Sequence, residues 1–371
     1  MYINTVWFNH TFSTEYHVIK ALREGAAQHG GEVLNIIGSN KDANCIYKTV
    51  CDVFFKEPDD LTDEEYVDYA LSVCKAYKVD VFFPKRCRNI ISKYKDKFTE
   101  IGVAVIISAD YELLTNLENK KYTNEIVGRY HLCKCIPSFY ATNLEEFKQA
   151  YTSVKNLEGD FENCRVCMKY TEDEGAVSFR VIVPDEEVDF RRISSPIGAK
   201  ISYSEVLKIL SSEPEFKELM IMPFLNGLDV TIDSFMGDYN FFAVSRYKLG
   251  NRRVLVENNE QFYNLSKQFA IMTGLKGLYN IQLKGHNEEW YFLEVNTRMA
   301  GGIHKAISCG VNLPYLAYAD AIGKDISDKA KELQEHFGDR QHLSQIETPI
   351  MLENDGLTAR DLTAIDLILR G

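Results

Sequence analysis

The 371 residues are 45% hydrophobic and 26% charged with a formal net charge of −12, the make-up of a soluble chain with more than one core and not of a disordered or low-complexity one. That acidity argues against nonspecific nucleic-acid binding, which needs clustered Lys and Arg. The longest apolar runs, such as Val103 to Ser108, are strand-sized and far short of the roughly 20 residues of a membrane span, so neither nucleic acid nor membrane is expected as a partner.

In chain order, Ile3 to Phe8 reads as a strand, and Ser13-Thr14-Glu15 as the cap of a helix running to about His29. Strands are expected at Glu32 to Ile37 and Cys51 to Phe55, then a helix with an acidic start at Thr62 to Glu65 that ends near Tyr77. Val79 to Phe83 and Val103 to Ile107 continue the pattern, with a helix between them. This βαβ rhythm predicts a parallel sheet wrapped by helices over residues 1–110. The G-x-G-x-x-G of a dinucleotide site is missing after the first strand, where Asn9 to Ser13 reads N-H-T-F-S. That loop nevertheless falls at the carboxyl edge of the expected sheet, where ligands bind.

From about Tyr111 the texture changes to α+β. A Lys-bearing helical stretch, Leu113 to Tyr130, precedes Ile136-Pro137 and a helix from about Asn143. Strands are expected at Arg165 to Tyr170 and Val177 to Val183, joined through an acidic tip at Thr171 to Ala176, and a helix near Ser204 to Leu210. Further strands follow at Leu219 to Phe224, Val230 to Phe235, Tyr239 to Tyr247, Leu278 to Lys284 and Glu289 to Val295. Between them Phe262, Leu265, Phe269 and Met272 recur at helical spacing. The stretch from about Asp325 reads as terminal helices or an interaction surface.

The nine cysteines are an odd number without a secretory leader in the first residues, which predicts reduced thiols and a cytoplasmic location. Cys164 and Cys167 are spaced C-x-x-C, but no second pair completes a zinc site, and they read as ordinary cysteines.

The densest chemistry lies in Leu278 to Gly302, LYNIQLKGHNEEWYFLEVNTRMAGG. It reads as two strands around a turn at Gly285-His286-Asn287. Alternation puts Asn280 and Gln282 on one face of the first strand, and Glu294, Asn296 and, if the strand continues, Arg298 on one face of the second. One carboxylate with neighbouring amides suits a magnesium ion that keeps positions for water and phosphate oxygens. A guanidinium beside them suits a transferring phosphoryl group.

The pattern N-x-Q followed by E-x-N-x-R and glycines resembles the metal-binding strand pair of the ATP-grasp superfamily, the group of carbamoyl phosphate synthase, biotin carboxylase and many carboxylate–amine ligases. The resemblance extends over most of the chain. MPFLNGLDVTID, Met222 to Asp233, is similar to the nucleotide hinge, which implies adenine contacts from the backbone around Met220, Met222 and Phe224, a ribose or phosphate contact from Asp229, and support from Asp233. VCMKYTEDEGAVSF, Val166 to Phe179, looks like the strand, phosphate-binding lysine (Lys169) and lid. NKKYTNEIV, Asn119 to Val127, resembles the helix start whose lysine binds phosphate, here Lys120 or Lys121. SRYKLGNRR, Ser245 to Arg253, resembles the basic strand that meets the γ-phosphate through Arg246 and Lys248.

The resemblance implies an ATP-grasp fold, α/β and α+β, with an N-terminal Rossmann-like (pre-ATP-grasp) parallel-sheet domain at 1–110, a central and lid subdomain at 111–218, a metal- and nucleotide-binding subdomain at 219–325 and an extension at 326–371. It implies a ligase that phosphorylates a carboxylate with ATP and Mg²⁺ (Mn²⁺ as the alternative ion) and passes the acyl group to an amine or similar nucleophile. Gln282, Glu294 and Asn296 would hold the metal, and Arg298, Lys248 and Arg246 would act on the phosphoryl group. The implied partners are small-molecule carboxylate and amine substrates, with a homodimer left open. Asn9, His10, Arg86, Arg88, His304 and Lys305 are acceptor-site candidates by the same resemblance. Pro223 in the hinge, Cys135 in place of a glycine, and a lid with Gly175 alone support an alternative: an ATP-binding module that senses nucleotide without turnover.

Overall fold

The computed structural model describes residues 3–10, 12–173, 177–187, 199–336 and 340–346; Gly175 of the lid and residues 347–371 of the extension lie outside the described residues. The chain forms two compact units, unit 1 of Met1–Leu114, Ile232–Asn280 and Arg298–Gly371, and unit 2 of Thr115–Thr231 and Ile281–Thr297.

Unit 1 opens with β1 (Asn4–Phe8), α1 (Glu15–Gly30), β2 (Leu34–Asn40), β3 (Val53–Lys56), α2 (Asp63–Tyr77), β4 (Val81–Phe83), α3 (Arg88–Lys93), α4 (Lys95–Glu100) and β5 (Ala104–Val105). The strands form the expected parallel sheet in the order β3-β2-β1-β4-β5. Alternation buries both faces. Trp7, Ile37 and Phe82 pack with Val67 and Ala70 of α2, the Trp7 and Phe82 rings stacked at 4.2 Å. On the opposite face, Val6, Phe8, Ile36 and Phe83 pack with Val18 and Leu22 of α1. The acidic start of α2 is a full capping box between Thr62 and Glu65.

Helix α5 (Tyr111–Glu118) carries the chain into unit 2, which continues with α6 (Lys120–Arg129), β6 (Lys134–Cys135), β7 (Phe139–Ala141), α7 (Leu144–Lys155), β8 (Val166–Tyr170), β9 (Arg180–Val183), β10 (Lys200–Ser202), α8 (Tyr203–Leu210) and β11 (Leu219–Pro223). A five-stranded sheet runs β10-β9-β8-β11-β7. Its one face packs Ile221 and Val166 against Phe147 of α7 and Val206 of α8, and its other face carries Met220, Met222, Cys167 and Val181.

The chain returns to unit 1 within β12 (Asp229–Met236), forms β13 (Phe241–Gly250), β14 (Arg253–Glu257) and α9 (Glu260–Thr273), and re-enters unit 2 within β15 (Gly277–His286) and β16 (Glu289–Asn296). It ends in unit 1 with α10 (Ile303–Ser308), α11 (Leu313–Ala321), α12 (Ser327–His336) and β17 (Gln341–Ser344). β14 pairs antiparallel with β13 and β17, and β16 pairs parallel with β6. The turn between β15 and β16 falls at Asn287-Glu288, with φ of 48° and 64°, and not at Gly285-His286-Asn287 as expected. Two consecutive left-handed residues make the tight turn whose twist suits a hairpin. β14 and β17 are strands that the sequence pattern did not announce. Among the described residues no helix is long and apolar enough to cross a membrane.

Candidate functional site

In unit 2 the sequence candidates converge on the face of the sheet that carries Met220. Lys169 on β8 is the cross-strand partner of Met220 on β11 and is only 4% exposed. Its Nζ lies 3.5 Å from Glu294 Oε2 on β16, and Asn296 Nδ2 donates to Glu294 Oε1 at 3.3 Å. Burial pushes the Lys169 pKa down; attraction to Glu294 opposes this, and repulsion from Lys120 adds to it. An ammonium so enclosed, with Glu294 at 3.5 Å and Asp173 within its field, is costly to bury.

Lys120 is the lysine of its pair that joins Lys169. It is buried at the start of α6 and donates to Asp173 Oδ1 at 2.8 Å and to the Asp173 carbonyl at 3.0 Å. Burial works against the Asp173 charge, but the bonds from Lys120 and Ser178 outweigh it and hold this carboxyl below its usual range. Lys121, one helical step on, leaves for the surface, 3.4 Å from Glu218 and 4.8 Å over the Tyr140 ring. Asn119 decides this geometry, because its side chain caps the backbone of Lys121 and Tyr122 and so sets the helix phase.

The hinge strand β11 pairs with β7 over Leu219–Ile221, and with β8 over its whole length, Leu219–Pro223. In this register Met220, Met222 and Phe224 turn their backbone groups toward β8, and the Phe224 N–H is taken by the Arg165 carbonyl at 2.7 Å. Pro223, which has a carbonyl and no N–H, lies beyond the last β11 residue paired with β7. Met220 and Met222 contribute buried side chains instead, clustered with Ile136, Val181 and Tyr291, with Phe224 and Phe179 packed at the margin.

Three sequence candidates could hold a metal here. Glu294 offers a half-buried carboxylate, and the half-buried Asn296 donates its amide N–H to it. Gln282 lies half-buried on β15. Among the described residues no group of three His, Cys, Asp or Glu forms a metal cluster. An all-oxygen set with one carboxylate matches a hard ion that retains water and phosphate ligands, and does not match zinc. Asp229, the ribose or phosphate candidate, is paired at 3.0 Å with Lys284 of β15.

Unit 1 holds the remaining candidates. Arg246 on β13 is 2% exposed and forms a two-pronged ion pair with Asp233 on β12, which is 1% exposed; Nη2 to Oδ1 measures 3.1 Å, and Nε bonds Oδ2. Asp233, expected to support Asp229, thus serves Arg246. The glycine turn after Arg298 fits against this pair, for a Cβ at Gly302 would stand 2.5 Å from Arg246 Nη1. Lys305 lies within the field of Arg246 and Lys248, and its pKa falls through burial first and their repulsion second. Lys248 is exposed at its position on β13. β16 ends at Asn296, so Arg298 stands beyond the strand; its main-chain carbonyl is held by Asn280 Nδ2 at 2.8 Å and its guanidinium donates to Met299 O at 3.1 Å.

Of the acceptor candidates, Asn9, His10 and Arg86 are taken up in structure. Asn9 Nδ2 donates to Tyr66 Oη at 2.9 Å and to Arg86 O at 3.1 Å. His10 N donates to Glu57 Oε1 at 2.7 Å, and Arg86 pairs with the buried Glu57 at 3.4 Å while lying 4.7 Å over Tyr66. Lys85, Glu15, Asp173 and Lys284, charged groups in these clusters, were missing from the sequence candidates. The basic run after β4 is the one signal that pointed at Lys85.

Comparison with known proteins adds to this geometry. Residues 215–344 match a family model described as ATP-grasp in the biosynthetic pathway with Ter operon. No curated protein matches in sequence. Among solved structures, the chain is similar to biotin carboxylase from Campylobacter jejuni in a β-γ-ATP complex (TM-score 0.60, 14% identity, covering 87% of this chain and 71% of that one). It is similar to N5-carboxyaminoimidazole synthetase from Staphylococcus aureus (TM-score 0.59, 12% identity, 88% and 80%). A third is the biotin carboxylase domain dimer of 2-oxoglutarate carboxylase from Hydrogenobacter thermophilus with MgADP, ADP and bicarbonate (TM-score 0.58, 14% identity, 86% and 70%). At these identities the structures speak for the fold, and the family model speaks for residues 215–344. The chain thus shares the fold of these structures, and its residues 215–344 match an ATP-grasp family model.

Proposed function

We propose that the protein is a Mg·ATP-dependent ligase that activates a small-molecule carboxylate as an acyl phosphate and couples it to an amine or similar nucleophile. The observation that carries the reading is the buried Lys169 facing Glu294 at 3.5 Å, with Asn296 bonded to that carboxylate. The arrangement offers cation and oxygen ligands side by side, which is what a metal-chelated polyphosphate asks for. Structures similar in fold were solved with an ATP analogue or MgADP, which agrees with the reading.

In this reading Lys169 and Lys120 bind the phosphates of ATP, and Met220, Met222 and Phe224 supply an apolar bed for the base. Asp229 is within reach of the ribose only if Lys284 shares it. Glu294, Asn296 and Gln282 would hold Mg²⁺, with Mn²⁺ as a substitute of the same ligand preference. The ion, when bound, offsets the charge of the triphosphate. Arg246, Lys248 and Arg298 would stabilise the phosphoryl group as the substrate carboxylate attacks the γ-phosphorus and ADP leaves. The amine then adds to the acyl carbon, and phosphate departs with the bonding electrons. No side-chain nucleophile is required. The chain must keep water from the acyl phosphate meanwhile.

One observation favours nucleotide sensing without turnover: the hinge strand ends in Pro223, which has no N–H to donate to the base. ADP release separates the two readings. With a pooled mixture of carboxylates and amino acids, wild type should release ADP and phosphate, and Glu294→Ala should lose roughly 10²-fold or more, the scale of a lost transition-state charge contact. Equal release from both proteins would sink the ligase reading.

A further inference from the structure

One of the two phosphate-binding lysines of unit 2 already holds an anion that belongs to the chain itself. Where the backbone leaves β8, the Thr171 carbonyl accepts the Lys120 N–H at 3.0 Å, and Glu172 Oε1 accepts from Asn119 Nδ2 at 2.9 Å. These bonds lay the segment across the start of α6 and deliver Asp173 to the end of the Lys120 side chain. There Lys120 Nζ donates to Asp173 Oδ1 at 2.8 Å and to its main-chain carbonyl at 3.0 Å. The second carboxylate oxygen is held from behind: Oδ2 accepts the Ser178 N–H at 3.2 Å and the Ser178 hydroxyl as well. Asp173 is thus aimed at the lysine from two sides.

Both partners are enclosed, the Lys120 side chain 7% exposed and that of Asp173 11%. The pair therefore lies outside the solvated, salt-screened regime in which ion pairs contribute little. The charge of Asp173 also reaches Lys169, where it joins Glu294 against the dominant effect of burial. Lys120 and Lys169 supply two positive charges here, and Asp173 and Glu294 two negative ones. The charges balance before any nucleotide arrives. A metal-chelated polyphosphate disturbs the balance unequally. Glu294 passes to Mg²⁺, whereas Asp173 is left with its carboxylate against a phosphate, like charge against like.

We infer that Asp173 is a built-in competitor of the nucleotide: in the empty protein its carboxylate takes the place of a phosphate on Lys120, and ATP binds by displacing it. The inference rests on the nucleotide-binding reading of Lys120. Carboxylate and phosphate oxygens accept the same charge-assisted bond from an ammonium, so one can stand in for the other. Asp173 then sets the affinity for the nucleotide, and its effect is to lower it.

Isothermal titration of the full chain with Mg²⁺ and a non-hydrolysable ATP analogue tests this in a cycle of Asp173→Asn and Lys120→Met. Asp173→Asn keeps the shape of the side chain and removes its charge. It should tighten binding about tenfold or more, the worth of one charge-assisted hydrogen bond at the low end. In the Lys120→Met background the same change should alter the affinity by less than about twofold, as for independent sites. Thermal melting separates a competitor from a merely structural ion pair. Without ligand Asp173→Asn should melt below wild type, and its melting temperature should rise further than that of wild type when the analogue is added. A structural pair gives the first effect without the second. Should Asp173→Asn melt too low to titrate, Ser178→Ala loosens the same carboxylate, and a smaller gain in affinity is expected of it. An affinity of Asp173→Asn equal to or weaker than wild type, or a gain undiminished in Lys120→Met, would overturn the inference and leave nucleotide binding standing. No binding by wild type and Asp173→Asn alike would remove both. Tighter binding by Asp173→Asn without ADP release from any form of the protein supports the inference and removes the ligase reading alone.

Discussion

Asp233→Asn is the substitution that most directly interrogates unit 1. It keeps the shape of the side chain and removes its charge, leaving Arg246 enclosed and unmatched. At the 3.1 Å separation of Nη2 and Oδ1, opposite unit charges attract by roughly 5 kcal/mol at an effective dielectric of about 20. A neutral amide bond retains about 1–2 kcal/mol of that. The expected loss is therefore about 3–4 kcal/mol, in line with the 3–5 kcal/mol typical of breaking one side of a buried pair. Set against a total stability of roughly 5–15 kcal/mol, this is a large fraction. The chain has two tryptophans, Trp7 in unit 1 and Trp290 in unit 2. In a Trp290→Phe background, urea unfolding followed by the fluorescence of the fully buried Trp7 reports on the unit that holds the pair. Replacing both partners, Asp233→Leu with Arg246→Met, should recover stability to within about 1 kcal/mol, since an apolar pair avoids the desolvation of both charges. That variant should still lack ADP release, because the phosphoryl group loses Arg246. A loss below about 1 kcal/mol for Asp233→Asn would refute the reasoning, since the buried charge would then be compensated by something else.

Two further outcomes follow from the same electrostatics. Lys169→Met should leave melting temperature unchanged or higher, because the enclosed ammonium disappears, while affinity for a non-hydrolysable ATP analogue falls roughly tenfold or more; calorimetric affinity equal to wild type would remove Lys169 from the nucleotide site. For His304, whose folded pKa lies below the ordinary 6.5, the unfolded chain takes up the proton first as pH falls. Its contribution is thus present above the unfolded pKa and lost as pH drops through the folded value. Between pH 7 and 5 the urea midpoint of wild type should fall more steeply than that of His304→Gln, with His17 adding the same sign in both proteins. Parallel slopes would show that His304 takes up its proton alike in the folded and the unfolded chain.

Periodicity made the parallel sheet of unit 1 legible, because strands buried on both faces and flanked by capped helices carry strong local signals. The alternation that set Glu294 and Asn296 on one face of β16 was legible for the same reason. What stayed hidden depends on pairing across distance. Arg246 reads as half of a solvated basic strand until β12 places Asp233 beside it, and nothing local to either residue announces a buried ion pair. Lys120 and Lys121 are separable only once Asn119 fixes the helix phase. β17, with the polar sequence QHLS, is an exposed edge strand with no apolar face to betray it. The hairpin turn moved because Asn287-Glu288 adopts the left-handed conformation that a Gly in second place would have advertised. Lys85 was passed over for Arg86 and Arg88, since which member of a basic run turns inward is decided by Asn9 from another strand.

Asn9 itself carries a thermodynamic consequence. Its carbonyl oxygen accepts twice and its amide donates twice, so the four bonds of a fully used side chain tie the end of β1 to the loop after β4 and to Tyr66. The position of Lys85 is then settled when the chain folds, as part of the folding free energy. Any ligand arriving there would meet a loop whose conformational entropy is already spent, so its affinity would not be taxed by ordering that loop.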